Sequence, residues 1–207
     1  MNVLLINGSP HKSGCTFTAL SEIAGELEKQ GIGTRIFHTG TKAVRGCIAC
    51  GKCKETGHCA CSDDPVNECI DMMKEADGIV VGSPVYYASP NGALLALLDR
   101  VFFAGGNAFA CKPAAAIVSC RRGGAATAFD VLNKYFTISN MPVVSSQYWN
   151  EVHGQTPDEV RQDLEGLQVM RTLARNMAWL LKCIEVAKGT VPYPEKETER
   201  YRTNFIR

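Results

Sequence analysis

The sequence predicts an α/β fold in which a five-stranded parallel sheet is covered by helices on both faces. Short apolar runs, typical of buried strands, alternate with segments whose apolar residues recur every three or four positions, as in amphipathic helices. Such alternation indicates parallel strands joined by crossover helices. The 207 residues suffice for one domain with a sizeable core.

The predicted elements follow one another along most of the chain. Strands are predicted at 3–6, 34–38, 78–82, 113–119 and 142–145, and helices from about residue 17 and at 66–75, 90–103, 125–138 and 157–187. Residues 40–64 are an irregular, cysteine-rich insertion within a single domain, 1–188. We expect the polar tail, 189–207, to pack on this domain or on a neighbouring subunit, with Tyr193, Tyr201 and Phe205 as anchors.

Composition argues against several classes of partner. The net charge is +1, with acidic and basic residues interspersed, so we expect neither nucleic acid nor an anionic membrane as a ligand. We expect no apolar stretch long enough to span a bilayer, and the N-terminus lacks the pattern of a signal peptide. These features favour a cytoplasmic protein.

Ten cysteines require an explanation, since a chain of this size with an ordinary apolar core has no need of a disulfide scaffold. Six of the ten lie between Cys47 and Cys69. This concentration indicates metal or redox chemistry.

The loop after the first strand carries the clearest functional signal. A strand, a hydroxyl-rich turn and a helix together form a phosphate site, because a helix N-terminus offers unpaired N–H groups and a positive dipole end. Gly14 is followed by Cys15 and not by lysine, so the loop suits a terminal phosphate monoester, as on FMN, better than a triphosphate. A simple capped helix shares these features. The candidates are Ser9, Pro10, His11, Ser13, Gly14, Cys15 and Thr16.

Two further loops are predicted at the same edge of the sheet, where ligands of open α/β sheets bind. The loop after the third strand combines prolines and small residues with two aromatic rings, which suits a flat heterocycle. The loop after the fourth strand has paired glycines that allow close backbone approach, together with arginines. The candidates are Pro84, Val85, Tyr86, Tyr87, Ser119, Arg121, Gly123 and Gly124.

Three segments resemble the flavodoxin-like NAD(P)H-dependent FMN reductases: LLINGSPHKSGCT, GIVVGSPVYYASPNGALLALLDR and QYWNEVHG. The resemblance implies a three-layer sandwich with strand order 2-1-3-4-5, FMN bound by the three loops, and NAD(P)H as electron donor. It also implies a small acceptor such as a quinone or a flavin, and a homodimer or homotetramer. Tyr148, Trp149, Asn150 and His153 would then lie near the flavin, within one subunit or across a subunit interface. No catalytic side chain is expected, because the flavin performs the chemistry, and Arg100 is interpreted as structural.

The run Cys47-x2-Cys50-x2-Cys53-x5-Cys59 resembles the cysteine loop of the iron–sulfur flavoproteins, with Cys61 as a spare. The resemblance implies a [4Fe–4S] cluster beside FMN and a redox protein partner of ferredoxin type. Free or redox-active thiols and zinc stay open as alternatives. The functional hypotheses are therefore an FMN-dependent NAD(P)H oxidoreductase, an iron–sulfur flavoprotein electron carrier, and a thiol or metal sensor on the same fold.

Overall fold

The sheet and its helices account for most of the chain. The computed structural model describes residues 1–195, 197, 199, 201 and 203, so Phe205 lies outside the described residues. The strands are β1 (Asn2–Asn7), β2 (Gly33–His38), β3 (Gly78–Tyr86), β4 (Ser89–Pro90), β5 (Ala114–Cys120) and β6 (Glu151–His153). The helices are α1 (Cys15–Lys29), α2 (Cys53–Thr56), α3 (Val66–Glu75), α4 (Gly92–Gly105), α5 (Ala125–Ile138), α6 (Pro157–Gln162) and α7 (Leu164–Ala187), with a 3₁₀ turn at Gly106–Phe109.

The sheet topology confirms the predicted strand order. Over the described residues the order is β2-β1-β3-β5-β6, all parallel, which is 2-1-3-4-5 when the parallel strands alone are counted. β4 is a two-residue addition that runs antiparallel to the end of β3. The strand order reverses at β1, which has β2 on one side and β3 on the other. The carboxyl ends of β1 and β3 therefore meet at the switch point, where such folds bind ligands.

Each face of the sheet has its own apolar core. Leu4 and Ile6 of β1 pack with α3, α4 and α5 on one face, whereas Val3 and Leu5 pack with α1 and α7 on the other. These four side chains are at most 2% exposed. A central parallel strand is buried on both faces, which is why its sequence is continuously apolar.

Three predicted boundaries are wrong. Residues 142–145 do not form the fifth strand; Val143 makes an isolated bridge to Ala114, and the fifth parallel position is taken by β6. The predicted final helix is two helices, because Asp163 ends α6 and its side chain accepts a hydrogen bond from Gly166 N to cap α7. β3 continues to Tyr86, so part of the loop predicted after the third strand is itself strand.

The sequence predicts no apolar stretch long enough to span a bilayer, but Gly92–Phe109 is long and apolar enough to do so. In the fold, however, α4 buries Leu94, Leu97 and Val101 in the core against the sheet. A core helix of this kind passes a composition test for a membrane span without being one. In the tail, Tyr193 and Tyr201 are 59% and 87% exposed, and its packing stays a prediction.

Candidate functional site

The first loop is held in shape by the side chain of Asn7 at the end of β1. Asn7 is fully buried; its Oδ1 accepts a hydrogen bond from Ser9 N at 3.1 Å, and its Nδ2 donates to Lys12 O at 3.3 Å. Ser9 Oγ in turn accepts from His11 N at 3.1 Å, and His38 Nε2 lies 2.8 Å from Ser9 O. The loop is thus fixed by bonds within the protein. Sequence analysis missed Asn7, although a buried asparagine at a strand end is itself a signal of loop organisation.

Helix α1 begins beneath this loop with free N–H groups. No described side chain caps it at Gly14, which is also true of α3 and α5 at their own N-caps, and its first turn has no acidic residue. An uncapped N-terminus retains unsatisfied donors and the positive end of the helix dipole. The donor set therefore fits a phosphate monoester.

Cys15, the first residue of α1, does not have the lowered pKa that its place at a helix N-terminus favours. Burial is the largest effect and raises the pKa of its thiol above the ordinary value. Its sulfur lies 3.7 Å from Gly154 O. The residue behaves as a packed neighbour of the loop and not as an activated thiol.

The second loop is a tight hairpin between β3 and β4. Tyr86 pairs with Ser89, and the two residues between them, Tyr87 and Ala88, have φ of +50° and +58°. Positive φ is strained for residues with a Cβ and is often found at ligand sites. Tyr86 and Tyr87 are 43% and 105% exposed, so both rings face outward at this edge. Ser83 Oγ anchors the hairpin by accepting from Asn91 N at 2.9 Å.

The third loop joins the other two. Thr16 Oγ1 and Ser119 Oγ lie 2.8 Å apart in a buried hydrogen bond between α1 and the end of β5. Gly124 has a φ of +87°, and a Cβ at this position would lie only 2.8 Å from the Cα of Ala88. These contacts bring the three strand-end loops together at one edge, as the sequence predicts.

The candidate side chains fall into two groups within this edge. Ser9, Thr16 and Ser119 are buried, and their hydroxyls already bond to the protein. The others are at least partly accessible: Pro10, His11, Ser13, Gly14, Cys15, Pro84, Val85, Tyr86, Tyr87, Arg121, Gly123 and Gly124. Direct contact of any of them with a cofactor stays a prediction.

The cysteine segment, 40–64, lies against α4. Cys47, Cys50, Cys53, Cys59 and the spare Cys61 all line one cavity, which Arg100, Phe103 and Ala104 of α4 complete. Burial, followed by the proximity of other thiols, raises the pKa of Cys53 above its ordinary value. All ten cysteines, each within the described residues, are free. No group of three or more His, Cys, Asp or Glu side chains is arranged to hold a metal ion in the described part of the chain.

Arg100 forms the inner wall of this cavity, where its contacts are with the cysteine segment. The residue is 2% exposed and pairs with Asp64. Burial acts to lower the pKa of the guanidinium, but hydrogen bonds to Asp64 and to Cys59 raise it above its ordinary value. Arg100 is therefore a permanent buried cation beside the thiols.

The segment from Tyr148 to His153 lies at the β6 edge of the sheet. The Tyr148 and Trp149 rings are 5.1 Å apart and more than half exposed, and Trp179 on α7 is 68% exposed. Asn150 is buried and donates from Nδ2 to Ala116 O at 3.1 Å. His153 N donates to Asp163 Oδ2 at 2.6 Å, which ties β6 to the start of α7.

Comparisons with known proteins agree with this geometry. A family model described as NADPH-dependent FMN reductase matches residues 1–156. An iron-sulfur flavoprotein of Methanocaldococcus jannaschii is 33% identical over 195 residues, covering 89% of this chain and 100% of that protein.

Two solved structures share the fold. A WrbA-like flavodoxin of Agrobacterium tumefaciens superposes with a TM-score of 0.63 at 13% identity, over 88% of this chain and 98% of its own. RosB, solved with bound 8-demethyl-8-formylriboflavin-5′-phosphate, gives 0.66 at 15% identity, over 100% and 94%. The predicted flavodoxin-like fold is confirmed. Because the family match covers most of the chain, the protein belongs to the NADPH-dependent FMN reductase family and is a flavin-dependent oxidoreductase.

Proposed function

We propose that this protein is an iron–sulfur flavoprotein, in which FMN binds at the carboxyl edge of the sheet and a [4Fe–4S] cluster binds in the cysteine cavity. The observation that carries the proposal is that five cysteines, all from residues 47–61, line one cavity against α4. Cysteines at two-residue spacing are a common ligand set for such clusters. The full-length similarity to a protein named iron-sulfur flavoprotein supports it.

The chain's own residues would bind and orient the flavin. The N–H groups of the first turn of α1 and the Ser13 hydroxyl suit its phosphate, and the outward rings of Tyr86 and Tyr87 offer flat surfaces to its ring system. Arg121 is exposed and places positive charge at the same edge. When bound, the flavin supplies hydride and single-electron chemistry, and the cluster supplies one-electron transfer.

Cys47, Cys50, Cys53 and Cys59 are the proposed cluster ligands. Cys47 and Cys50 are exposed, while Cys53 and Cys59 are partly buried against α4. Left-handed backbone at Ala49 and Gly51, with φ of +53° and +75°, turns the chain sharply around Cys50. Such turns place several cysteines along one cavity, and four thiols are the donor set that a [4Fe–4S] cluster takes, although in the described residues they are not drawn together around one point.

The test is an ultraviolet–visible spectrum of anaerobically purified protein, with iron, zinc and flavin assayed on the same sample. We expect about one FMN and about four irons per chain, the content of one cubane cluster. Zinc in place of iron, or flavin without any metal, would overturn the cluster. Protein without flavin would instead favour the thiol or metal sensor.

A second candidate is an NAD(P)H-dependent FMN reductase whose cysteines remain free. The absence of a preformed metal-binding group among the described residues favours it, as does the name of the matching family model. This protein would be yellow, and NADH or NADPH would reduce it rapidly, with a quinone or free flavin as acceptor. Comparing reduction by NADH, by NADPH and by reduced ferredoxin separates the two candidates.

The charge of the cysteine segment supports a redox protein as partner for the first candidate. Four basic side chains of the segment are exposed, Lys42, Arg45, Lys52 and Lys54, against two acidic ones, Glu55 and Asp63. A local excess of positive charge attracts an acidic electron carrier, and the association rate falls as salt rises. We therefore expect ferredoxin-dependent reduction to slow markedly between low and physiological ionic strength, whereas reduction by a small uncharged donor should not.

Compartment and assembly complete the proposal. Free thiols, including the exposed Cys47, Cys50 and Cys183, suit the reducing cytoplasm. We further propose a homodimer or homotetramer, which sedimentation of the flavin-bound protein tests; a monomer at micromolar concentration would contradict it.

A further inference from the structure

Arg100 is the buried residue that connects helix α4 to the cysteine segment. Its side chain is 1% exposed and that of its partner Asp64 is 3% exposed. Burying a charged pair is unfavourable unless the remaining donors and acceptors are also satisfied. The other hydrogen bonds of the Arg100 guanidinium therefore indicate the role of this buried pair.

All of those contacts are with the cysteine segment. Arg100 Nε donates to Cys59 Sγ at 3.2 Å, and Nη2 donates to Cys61 O at 2.9 Å. Nη1 donates to Arg45 O at 3.3 Å and also to the Asp64 carboxylate. The guanidinium thus bonds to the segment at three places: near its beginning at Arg45, at Cys59 and Cys61, and at its end at Asp64. The planar fork of an arginine has enough donors for this, whereas the ammonium group of a lysine does not.

Cys59 is the thiol that this arrangement fixes most firmly. Asn67 of α3 accepts from Cys59 N at 2.8 Å and donates to Cys59 O at 2.9 Å, so the backbone is held on both sides. Arg100 holds the sulfur itself. Cys61, two residues on, has its sulfur 3.6 Å from the exposed Arg45 instead. The structure therefore distinguishes Cys59 from the spare cysteine.

We propose that Arg100 is the positioning residue of the cysteine segment: it closes residues 45–64 around the cavity and presents the Cys59 sulfur to the cluster. The second half rests on the proposed function, whereas the first half does not. Hydrogen bonds to the sulfurs of a cluster stabilise its more reduced, more negative state and so raise its reduction potential. Arg100 should therefore affect both the order of the segment and the potential.

The first experiment needs no metal. Flavin-bound, metal-free protein is treated with trypsin, and cleavage at Lys42, Arg45, Lys52 and Lys54 is followed by mass spectrometry. Arg100→Gln should speed cleavage within the segment about tenfold, because its local opening becomes easier. The matched control is Arg35→Gln, which removes an exposed pair with Glu75 elsewhere on the sheet. Equal cleavage of wild type and Arg100→Gln would overturn the proposal.

The second experiment uses protein reconstituted with iron and sulfide. The Asp64→Asn/Arg100→Gln double variant removes both charges, so no unpaired carboxylate is left buried, and flavin content checks its fold. We expect the cluster's reduced-to-oxidised ratio at fixed potential to fall about tenfold, about 59 mV for one electron. The single variant Arg100→Lys keeps the positive charge, so it should fold like the wild type, but its cluster should have the lower potential of the double variant. An unchanged potential in both variants would overturn the positioning role.

The two proposals fail in different ways. If wild-type protein binds flavin but takes up no iron, the cluster is wrong, and the trypsin comparison still decides whether Arg100 closes the segment. If wild type binds the cluster and both comparisons show no effect, the proposed function stands and Arg100 has no positioning role.

Discussion

The two candidate sites of this protein are built in opposite ways. The edge of the sheet proposed to bind FMN, here called the flavin edge, is formed by the loops that follow β1, β3 and β5. These loops are held in place by the hydrogen bonds of Asn7, the Thr16–Ser119 hydrogen bond and the close approach of Gly124 to Ala88. The cysteine segment contains only the four-residue helix α2 and is held mainly by the hydrogen bonds and ion pair of Arg100 on α4 and by Asn67 of α3. The loops of the first site are thus tied to one another and to the sheet at several points, whereas the second site has little regular structure and few anchors.

Replacing a proposed cluster ligand should abolish cluster binding at the cysteine segment without affecting FMN binding at the three loops. Cys50→Ser removes a ligand and should lower the iron content from about four per chain to near zero, while FMN remains bound, because Cys50 is exposed and outside the three loops. Iron assay and flavin absorbance measure both. Cys183→Ser, at an exposed cysteine of α7, is the control. Loss of flavin in Cys50→Ser would mean that the segment is part of the flavin site.

Replacing Gly124 should have the opposite effect, because it disturbs the three loops and not the cysteine segment. A Cβ at Gly124 would meet Ala88 at 2.8–2.9 Å, and the φ of +87° is strained for alanine. Gly124→Ala should cost about 2–4 kcal/mol of unfolding free energy and weaken FMN binding. Gly123→Ala is the matched control, since no described atom lies within 4 Å of its Cβ. Urea unfolding and flavin titration check both, and equal stabilities would contradict the packing of these two loops.

A smaller effect is expected at the phosphate end of the flavin edge. Ser13→Asp introduces a carboxylate that repels a phosphate and occupies the free N–H groups of α1. FMN affinity should fall roughly tenfold, about 1.4 kcal/mol, with little loss of stability. Ser13→Asn has nearly the same shape without the charge. If fluorescence titration gives the same affinity for both variants, the first loop does not bind the phosphate.

The smallest effect concerns the scaffold that carries the first loop. Arg175 of α7 bonds to Glu26 of α1 at 2.6 Å and, with Lys29, holds the pKa of this buried carboxyl below its ordinary value despite its burial. The unfolded chain then binds the extra proton, so the stabilisation is present above about pH 4.3 and is lost as the pH falls through the lower folded pKa. Glu26→Gln should lose about 1 kcal/mol at pH 7 and show a flatter acid dependence of urea unfolding. An unchanged dependence would contradict this.

Sequence reasoning succeeded where the signal is local and failed where it is not. Continuous apolar runs located β1, β3 and β5, because strands buried on both faces need little else. The edge strand β2 was also predicted, although only Phe37 of its six residues is buried. β6 was missed because it has one apolar residue, Val152, between two polar ones, while the apolar residues 142–145 drew the prediction away.

The same contrast holds for the sites. Hydroxyls and glycines beside strand ends predicted the edge at which the three loops meet, while flavin contact there stays a prediction. Arg100 carries no such signal, because its partners lie 36 to 55 residues away in the sequence. The sequence does not decide between an iron–sulfur cluster, zinc and free thiols for a physical reason: the spacing of cysteines brings their thiols together but does not determine which metal they bind.

The placement of the two tryptophans determines how this protein can be observed. Trp149 and Trp179 are both more than half exposed, at the β6 edge and on α7. Indole emission from the native protein should therefore resemble that of hydrated tryptophan and change little on unfolding, so circular dichroism and flavin release are the better probes of folding. A blue shift of that emission would instead report another chain covering this edge.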